Sequence, residues 1–314
     1  MFAGCVAVSL AVELTARIGF DRVSKIQRRM ADEYQLATTI GTDRLTGRRH
    51  VLVVGNSLLN ADVRFDWVRD ALGSQCDTRR FVIEQTSYVD WYYGLKRLFR
   101  RGARPDVVVV MLSTGQWTGT AIRGDYSAQY LIDMADLPAV SRDLGLNPTQ
   151  ATNLAFSSVS KFWGVRAEIR NFVLGHLMPD LGQLMSFSSI VDRNPILDDN
   201  VARIAHARIV RLKALTDMHG AKLVLVLPPI IAVQDGAAGF LRAGSAAGVT
   251  TLRPVASGTL ALRLYQDAGF HLNQTGADEF TNRLIPMLRA ELATPAARAV
   301  TASVVRQRDS RPPQ

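Results

Sequence analysis

Val51-Leu-Val-Val-Gly-Asn-Ser57 is the segment that best indicates the fold of this chain. Its four apolar, mostly β-branched residues predict a strand covered on both faces, as in a parallel sheet. Gly55 tolerates a tight turn, and Ser57 then lies near the start of the next helix. The segment therefore predicts a β-α unit that places a hydroxyl group at the carboxyl edge of the sheet, where ligands bind.

Apolar and amphipathic segments alternate along the rest of the chain. Further strands are predicted over residues 81–84, 107–112, 222–227 and 249–252, and helices over 58–72, 88–101, 201–215 and from Thr275 onward. This alternation predicts an α/β three-layer sandwich with a flavodoxin-like parallel sheet. Residues 120–198 interrupt it with mixed helical and turn patterns, which indicates a helical insertion after the third strand.

The predicted α/β domain covers residues 48–292, with a segment of different character on either side. Residues 1–40 form an apolar and then amphipathic segment, interpreted as an anchor, a stalk or a helix packed on the domain. Residues 293–314 are rich in Ala, Arg and Pro. They have little to bury, so we predict a disordered basic tail.

The first twelve residues are apolar, but a bilayer-spanning helix needs about 20. Two interpretations are consistent with this: the second half of a membrane anchor whose start is missing, or an amphipathic helix docked on the protein. We expect the anchor, and with it a membrane-anchored, extracytoplasmic domain at the periplasmic or cell surface. The arginines after the run argue for the opposite orientation, because basic flanks usually stay cytoplasmic.

The composition excludes several classes of function. The formal charge of +9, from 37 basic and 28 acidic residues, is dispersed and lacks a basic run interleaved with aromatic residues, so nucleic acid is not an expected partner. Cys5 and Cys76 are the two cysteines, too few for a cysteine-based metal site. We expect neither a metal nor a cofactor, and the oligomeric state is not predictable from these features.

A second segment, Asp267-Ala-Gly-Phe-His271-Leu-Asn273, lies just before the last predicted helix. Taken alone, Ser57 could simply cap a helix and His271 could be a structural loop residue. Together with a carboxylate four residues before the histidine, they suggest a serine nucleophile, a general base and an orienting acid. Ester chemistry is the reaction that this combination favours.

The two segments resemble the first and last motifs of the SGNH (GDSL-like) hydrolases. Gly55-Asn56-Ser57 is similar to the opening Gly-Asp-Ser, and Tyr265–Gly276 is similar to the closing Asp-x-x-His region. The resemblance covers about residues 50–120 and 200–290. It implies Ser57 as nucleophile, His271 as base and Asp267 as the partner of the base.

The chain departs from the family pattern at three places. Three residues separate Asp267 from His271 where the family usually has two, Thr86-Ser87 stands at the usual glycine of the second block, and the third block reads Ser113-Thr-Gly-Gln-Trp117. The resemblance implies oxyanion or substrate-binding groups at Asn56, Ser87, Gly115 and Gln116. The N–H of Ser57, a backbone N–H near Ser87 and the amide of Gln116 are the expected donors.

The expected function is hydrolysis of an acyl ester on an O-acylated carbohydrate or lipid. Two alternatives stay open: an O-acyltransferase acting on a cell-surface polysaccharide, and a non-catalytic domain that binds glycans or serves as a scaffold. The aromatic cluster Trp91-Tyr-Tyr93 could stack on a sugar, but helix packing is the favoured interpretation.

Overall fold

The computed structural model describes residues 2–42, 47–120, 122, 126–177, 197–231, 235–266 and 269–293. Within these ranges five strands form one sheet: β1 Arg49–Gly55, β2 Cys76–Val82, β3 Val107–Met111, β4 Lys222–Val226 and β5 Thr250–Leu252. Their spatial order is β2-β1-β3-β4-β5, and every neighbouring pair is parallel. The predicted α/β class and flavodoxin-like strand order are confirmed.

Helices pack on both faces of this sheet. In chain order they are α1 Phe2–Val23, α2 Lys25–Thr38, α3 Ser57–Asp62, α4 Phe65–Leu72, α5 Tyr88–Arg100, α6 Thr114–Thr118, α7 Tyr126–Leu131, α8 Leu137–Leu144, α9 Pro148–Val159, α10 Lys161–Leu177, α11 Asp198–Met218, α12 Ala237–Ala246 and α13 Gln274–Ala293. The described part of the predicted insertion is helical, from α7 to α10. Residues 178–196 of the insertion and 294–314 of the predicted tail lie outside the described residues.

The predicted helix over residues 58–72 is in fact two helices. The chain is extended at Val63, between α3 and α4. The N–H of Arg64 then donates to Thr281 Oγ1 of α13 at 2.9 Å, and the Arg64 guanidinium lies 3.4 Å from the Asp278 carboxylate. These contacts with α13 replace helix continuity, so the break is stabilised by tertiary structure rather than by a local breaker residue.

Alternate residues of the central strands supply two separate cores. Leu52 and Val54 of β1 belong to a cluster with Trp91 of α5 and Phe240 of α12. Val51 and Val53 point to the other face, where they join the cores of α3, α4 and α13. Burial on both faces explains why β1 and β3 are continuously apolar rather than alternating.

Helix α2 covers the open edge of β2. Glu33 accepts a hydrogen bond from the Val82 N–H at 2.8 Å, and Arg29 donates to the Val82 carbonyl at 3.1 Å. Glu33 also accepts from Arg80 at 2.7 Å. A helix that satisfies an edge strand in this way shields it from pairing with another chain. Residues 1–40 were interpreted as an anchor, a stalk or a helix packed on the domain, and α2 is a packed helix.

The insertion is held against α5 by ion pairs. Lys96 contacts Asp136 at 2.7 Å, while Arg97 and Arg100 contact Asp133 at 3.2 and 2.7 Å. At its other end, α10 is joined to α1, because Glu13 accepts hydrogen bonds from Ser160 and from the backbone at the start of α10. Among the described helices none is long and apolar enough to cross a membrane.

Candidate active site

Ser57 is the first residue of α3, directly after β1. The residue that caps this helix is Asn56, whose Oδ1 accepts from the Leu58 N–H at 3.1 Å. The interpretation of Ser57 as merely a cap is therefore wrong. The Asn56 amide also donates to the Thr86 carbonyl at 2.8 Å, which joins the β1–α3 turn to the loop after β2.

Gly55 is required by close packing at this turn. A Cβ at this position would lie 2.6 Å from the Met111 carbonyl oxygen and 3.0 Å from the Leu59 Cβ. Only glycine lets β1 approach β3 closely while the chain turns into α3. Ser57 is thereby held at the carboxyl edge of the sheet.

His271 lies in the loop before α13, and its ring meets Ser57. Oγ of Ser57 and Nε2 of His271 are in hydrogen-bonding contact, 2.9 Å apart. The base of the loop is closed by an antiparallel bridge between Tyr265 and Leu272. The N–H of Gln266 donates to the His271 carbonyl at 2.8 Å. The structure thus brings together the two residues on which the sequence hypothesis depends.

Burial lowers the pKa of His271 below its usual value near 6.5. The imidazole is therefore neutral at pH 7, which is the form that can accept a proton from a hydroxyl group. The Phe270 ring packs edge to face against it, with 5.0 Å between centroids. A serine hydroxyl beside a neutral imidazole is suited to nucleophilic attack on an ester carbonyl.

Asp267, the predicted partner of His271, lies outside the described residues together with Ala268. Its role stays a prediction. Within the described residues no group of three or more His, Cys, Asp or Glu side chains is arranged to hold a metal ion.

Three of the expected oxyanion or substrate-binding residues make hydrogen bonds within local structure. The Ser87 N–H donates to the Asp90 carboxylate at 2.9 Å, and Gln116 Oε1 accepts from the Ser113 N–H at 2.8 Å. Both contacts belong to capping boxes, which satisfy the first N–H groups of α5 and α6. The side-chain amide of Asn56 is bonded through both its oxygen and its nitrogen. The Ser87 N–H itself is therefore occupied, and the expected backbone donor near Ser87 stays a prediction.

Gly115 keeps its place among the candidates. It is the second residue of α6, and Ser57 is the first residue of α3. The N–H groups at such positions have no acceptor within their own helix. The backbone N–H groups of Ser57 and Gly115 therefore have no helical acceptor, and their role toward an oxyanion stays a prediction.

Asp62, at the end of α3, was not found from the sequence. Its side chain is completely buried, and Oδ1 accepts from the N–H of Leu272 at 2.8 Å. Burial raises the pKa of Asp62 well above its usual range. No spacing in the sequence indicates this contact, because the two residues lie 210 positions apart and Asp62 falls inside a predicted amphipathic helix.

The aromatic cluster of α5 packs inside the protein. Trp91 and Tyr93 are fully buried, and their polar atoms donate to Thr86 Oγ1 at 2.9 Å and to Asp143 at 2.8 Å. Tyr92 is half-buried beneath the Arg211 guanidinium, 4.0 Å from its ring centroid. The packing interpretation is confirmed for Trp91 and Tyr93.

Comparison with known proteins gives structural similarity only. No family model matches the chain, and no curated protein matches it. A GDSL-like lipase from Bacteroides thetaiotaomicron is 11% identical, with 86% of this chain and 98% of that chain covered and a TM-score of 0.41.

Two solved structures of carbohydrate-directed enzymes are similar to about the same degree. A catalytic mutant of an acetylxylan esterase from Geobacillus stearothermophilus is 10% identical, covers 78% and 95% of the two chains, and has a TM-score of 0.41. A carbohydrate esterase family 3 protein from Talaromyces cellulolyticus is 10% identical, covers 79% and 100%, and has a TM-score of 0.40. At these values the similarity has no bearing on function, for which the geometry of Ser57 and His271 is the basis.

Proposed function

We propose that this protein is a serine-dependent acyl-ester hydrolase of the SGNH type. The observation that carries the proposal is the 2.9 Å contact between Ser57 Oγ and His271 Nε2 at the carboxyl edge of a parallel sheet. The proposed substrate is an O-acylated carbohydrate or lipid. That substrate class comes from the resemblance of the two sequence motifs to the family.

In the proposed reaction Ser57 Oγ attacks the ester carbonyl while its proton moves to His271 Nε2. The N–H groups of Ser57 and Gly115 stabilise the negative charge on the carbonyl oxygen. The C–O bond to the alcohol then breaks, and His271 returns the proton to the departing oxygen, leaving an acyl group on Ser57. Water attacks this ester by the same proton route and regenerates the hydroxyl. Asp267 is proposed to hold the tautomer of the imidazole.

The two alternatives differ from hydrolysis in the fate, or the absence, of an acyl-Ser57 intermediate. An O-acyltransferase would pass the acyl group to a sugar hydroxyl instead of water, and the geometry does not separate this from hydrolysis. A non-catalytic scaffold would not need a hydroxyl and an imidazole in hydrogen-bonding contact, so the contact favours the enzyme.

Hydrolysis of 4-nitrophenyl acetate and of acetylated oligosaccharides tests the proposal. Ser57→Ala and His271→Ala should each abolish turnover, whereas Ser245→Ala and His206→Ala, at exposed positions away from the site, should not. Release of 4-nitrophenol that requires an added sugar acceptor, with the acetyl group recovered on that sugar, would favour the transferase. A folded wild-type protein inactive on both esters, with and without acceptor, would refute ester chemistry of this kind.

We also propose that the protein works at a membrane surface, on its extracytoplasmic side. Large apolar side chains are exposed on α1, with Val8, Leu10 and Leu14 more than half exposed. Phe156 and Val159 at the end of α9 are exposed to a similar degree, and α10 is bonded to α1 through Glu13. Apolar surface of this kind marks sites of membrane or protein interaction. The overall charge of +9 favours contact with an anionic surface.

A further inference from the structure

The carboxyl group of Asp62 connects the two halves of the candidate site. Asp62 ends the helix that Ser57 begins, and its Oδ1 accepts from the N–H of Leu272 at 2.8 Å. Leu272 directly follows His271 in the chain. One hydrogen bond therefore joins the helix of the proposed nucleophile to the backbone of the proposed base.

Asp62 meets the His271 loop at its base. Leu272 forms the antiparallel bridge with Tyr265, so these two residues close the loop. Burial, and then the nearby Asp62 carboxyl group, raise the pKa of Tyr265 to about 12. Asp62 thus lies close to both residues of the bridge, and a shift of its side chain would displace the loop.

Packing alone does not explain an aspartate at this position. Asp62 is completely buried, and its Oδ2 has no hydrogen-bond partner within the described residues. The Tyr265 hydroxyl is likewise buried and without a partner there. Buried polar atoms without partners are costly, and a leucine of similar size would fill the same space without that cost.

We propose that Asp62 is a positioning residue that sets the Ser57–His271 distance through its hydrogen bond to the Leu272 N–H. This inference rests on the proposed function. Asp62 does not touch the reacting atoms, so it acts only by fixing the backbone beside His271. A second hydrogen bond, from the Arg64 N–H to Thr281 Oγ1, also joins the chain just after α3 to the chain after His271. It reaches α13 farther from the loop and serves as a comparison.

The role that we assign needs an acceptor, not a negative charge. The raised pKa of Asp62 means that its neutral form persists to higher pH than in a free aspartate, and a neutral carboxyl group still offers a carbonyl oxygen. An asparagine has the same shape and the same acceptor. A leucine has nearly the same shape and no acceptor, so the two substitutions separate the hydrogen bond from the packing.

The test compares Asp62→Asn, Asp62→Leu and the control Thr281→Val by steady-state hydrolysis of 4-nitrophenyl acetate. We expect kcat of Asp62→Leu to fall by about 10²-fold with KM little changed, because small misplacement of a catalytic group has an effect of this size. Asp62→Asn should keep a kcat close to that of the wild type. Thr281 is as buried as Asp62, and Thr281→Val likewise removes the side-chain acceptor of a backbone N–H. This variant should keep its kcat while losing stability.

Three outcomes would overturn the inference: a folded Asp62→Leu with wild-type kcat, an Asp62→Asn as impaired as the leucine variant, or a Thr281→Val with the same loss of kcat. Amide hydrogen exchange of wild type adds a measurement that needs no variant. The Leu272 amide should exchange far more slowly than an exposed loop amide. Exchange at the exposed-loop rate would also overturn the inference.

Failure of the proposed function would look different. An inactive wild type whose Leu272 amide is protected, with protection kept in Asp62→Asn and lost in Asp62→Leu, would refute the ester chemistry while supporting the bond that Asp62 makes. Activity in the wild type without protection of Leu272 would support the chemistry and refute the positioning role.

Discussion

Ser57 and His271 are 214 positions apart in the chain and share a hydrogen bond in the fold. The contact exists because each residue occupies a constrained place: Ser57 follows a strand whose turn requires Gly55, and His271 sits in a loop closed by the Tyr265–Leu272 bridge. Burial then leaves the imidazole neutral. The proposed chemistry therefore depends on backbone geometry as much as on the two side chains.

The pH dependence of activity follows from the state of His271. Its folded pKa lies below 6.5 because burial disfavours the imidazolium, and the reaction needs the neutral ring. We expect kcat/KM to fall with decreasing pH with a midpoint below 6.5 and to be level at pH 7. Initial rates on 4-nitrophenyl acetate between pH 4.5 and 8 measure this. A midpoint above 6.5 would show that a carboxylate outweighs burial at the imidazole.

Asp62 predicts a second pH effect, on stability. Its pKa is about 3.8 when unfolded and is raised when folded, so between these values the folded state holds a proton that the unfolded state has lost. The contribution of Asp62 to the free energy of unfolding is thus most favourable at low pH and decreases as the pH rises toward the folded pKa. Asp62→Asn removes the dependence.

The asparagine variant should be more stable than the wild type at pH 7, and the difference should shrink as the pH falls toward 4. Urea unfolding at several pH values measures it. A difference that is constant with pH, or that grows in acid, would show that Asp62 is ionised in the folded protein.

At the scale of elements, α2 contributes to the stability of the sheet through Glu33. Glu33→Ala leaves the buried Val82 N–H without an acceptor and Arg80 without its partner, so we expect a loss of about 1–3 kcal/mol in the free energy of unfolding. Glu279→Ala is the control, because Glu279 pairs with Arg283 on the exposed side of α13. Its loss should change the free energy of unfolding by less than about 0.5 kcal/mol. Equal effects in urea unfolding would mean that α2 does not cover the edge of β2.

The elements that could be predicted are those with local causes. Four consecutive valines clearly predict β3. Asp198 and Gly220 predict the ends of α11, which begins at Asp198 and ends at Met218. β2 begins five residues earlier than predicted because its polar residues face α2 and each other: Arg80 bonds Glu33, and Arg79 pairs with Asp77 at 2.9 Å. A polar edge strand resembles a loop in the sequence alone.

The residues of the candidate site also differ in whether a local sequence pattern or a tertiary contact places them. Ser57 and His271 were predictable because each follows a recognisable local pattern. Asp62 was not, because the break at Val63 contains neither Gly nor Pro and depends on contacts of Arg64 with α13. The capping boxes Ser87–Asp90 and Ser113–Gln116 were missed because a capping box uses the same polar residues that an oxyanion site would use.

At the scale of the whole molecule, the apolar side chains of α1 and of the α9–α10 corner should act as one membrane-binding surface. Leu10→Asp and Phe156→Asp should each weaken binding to vesicles containing phosphatidylglycerol by about tenfold or more, because each removes a large buried apolar contact with lipid. Met218→Asp, an exposed apolar position at the end of α11, is the control. Vesicle flotation measures the bound fraction.

Two results would count against this surface. Wild-type protein that does not float with the vesicles would refute membrane binding by α1. Weakening by Leu10→Asp alone would restrict the surface to α1 and exclude the insertion from it.

Labelling by a fluorophosphonate probe, with mass spectrometry of the labelled peptide, is the sharpest test of Ser57 as the nucleophile. We predict that wild type is labelled on Ser57, and that folded Ser57→Ala and His271→Ala are not labelled. Labelling would establish that the 2.9 Å contact with His271 activates the hydroxyl group. A folded wild type that is not labelled, or is labelled at another serine, would contradict the proposal that Ser57 is the nucleophile.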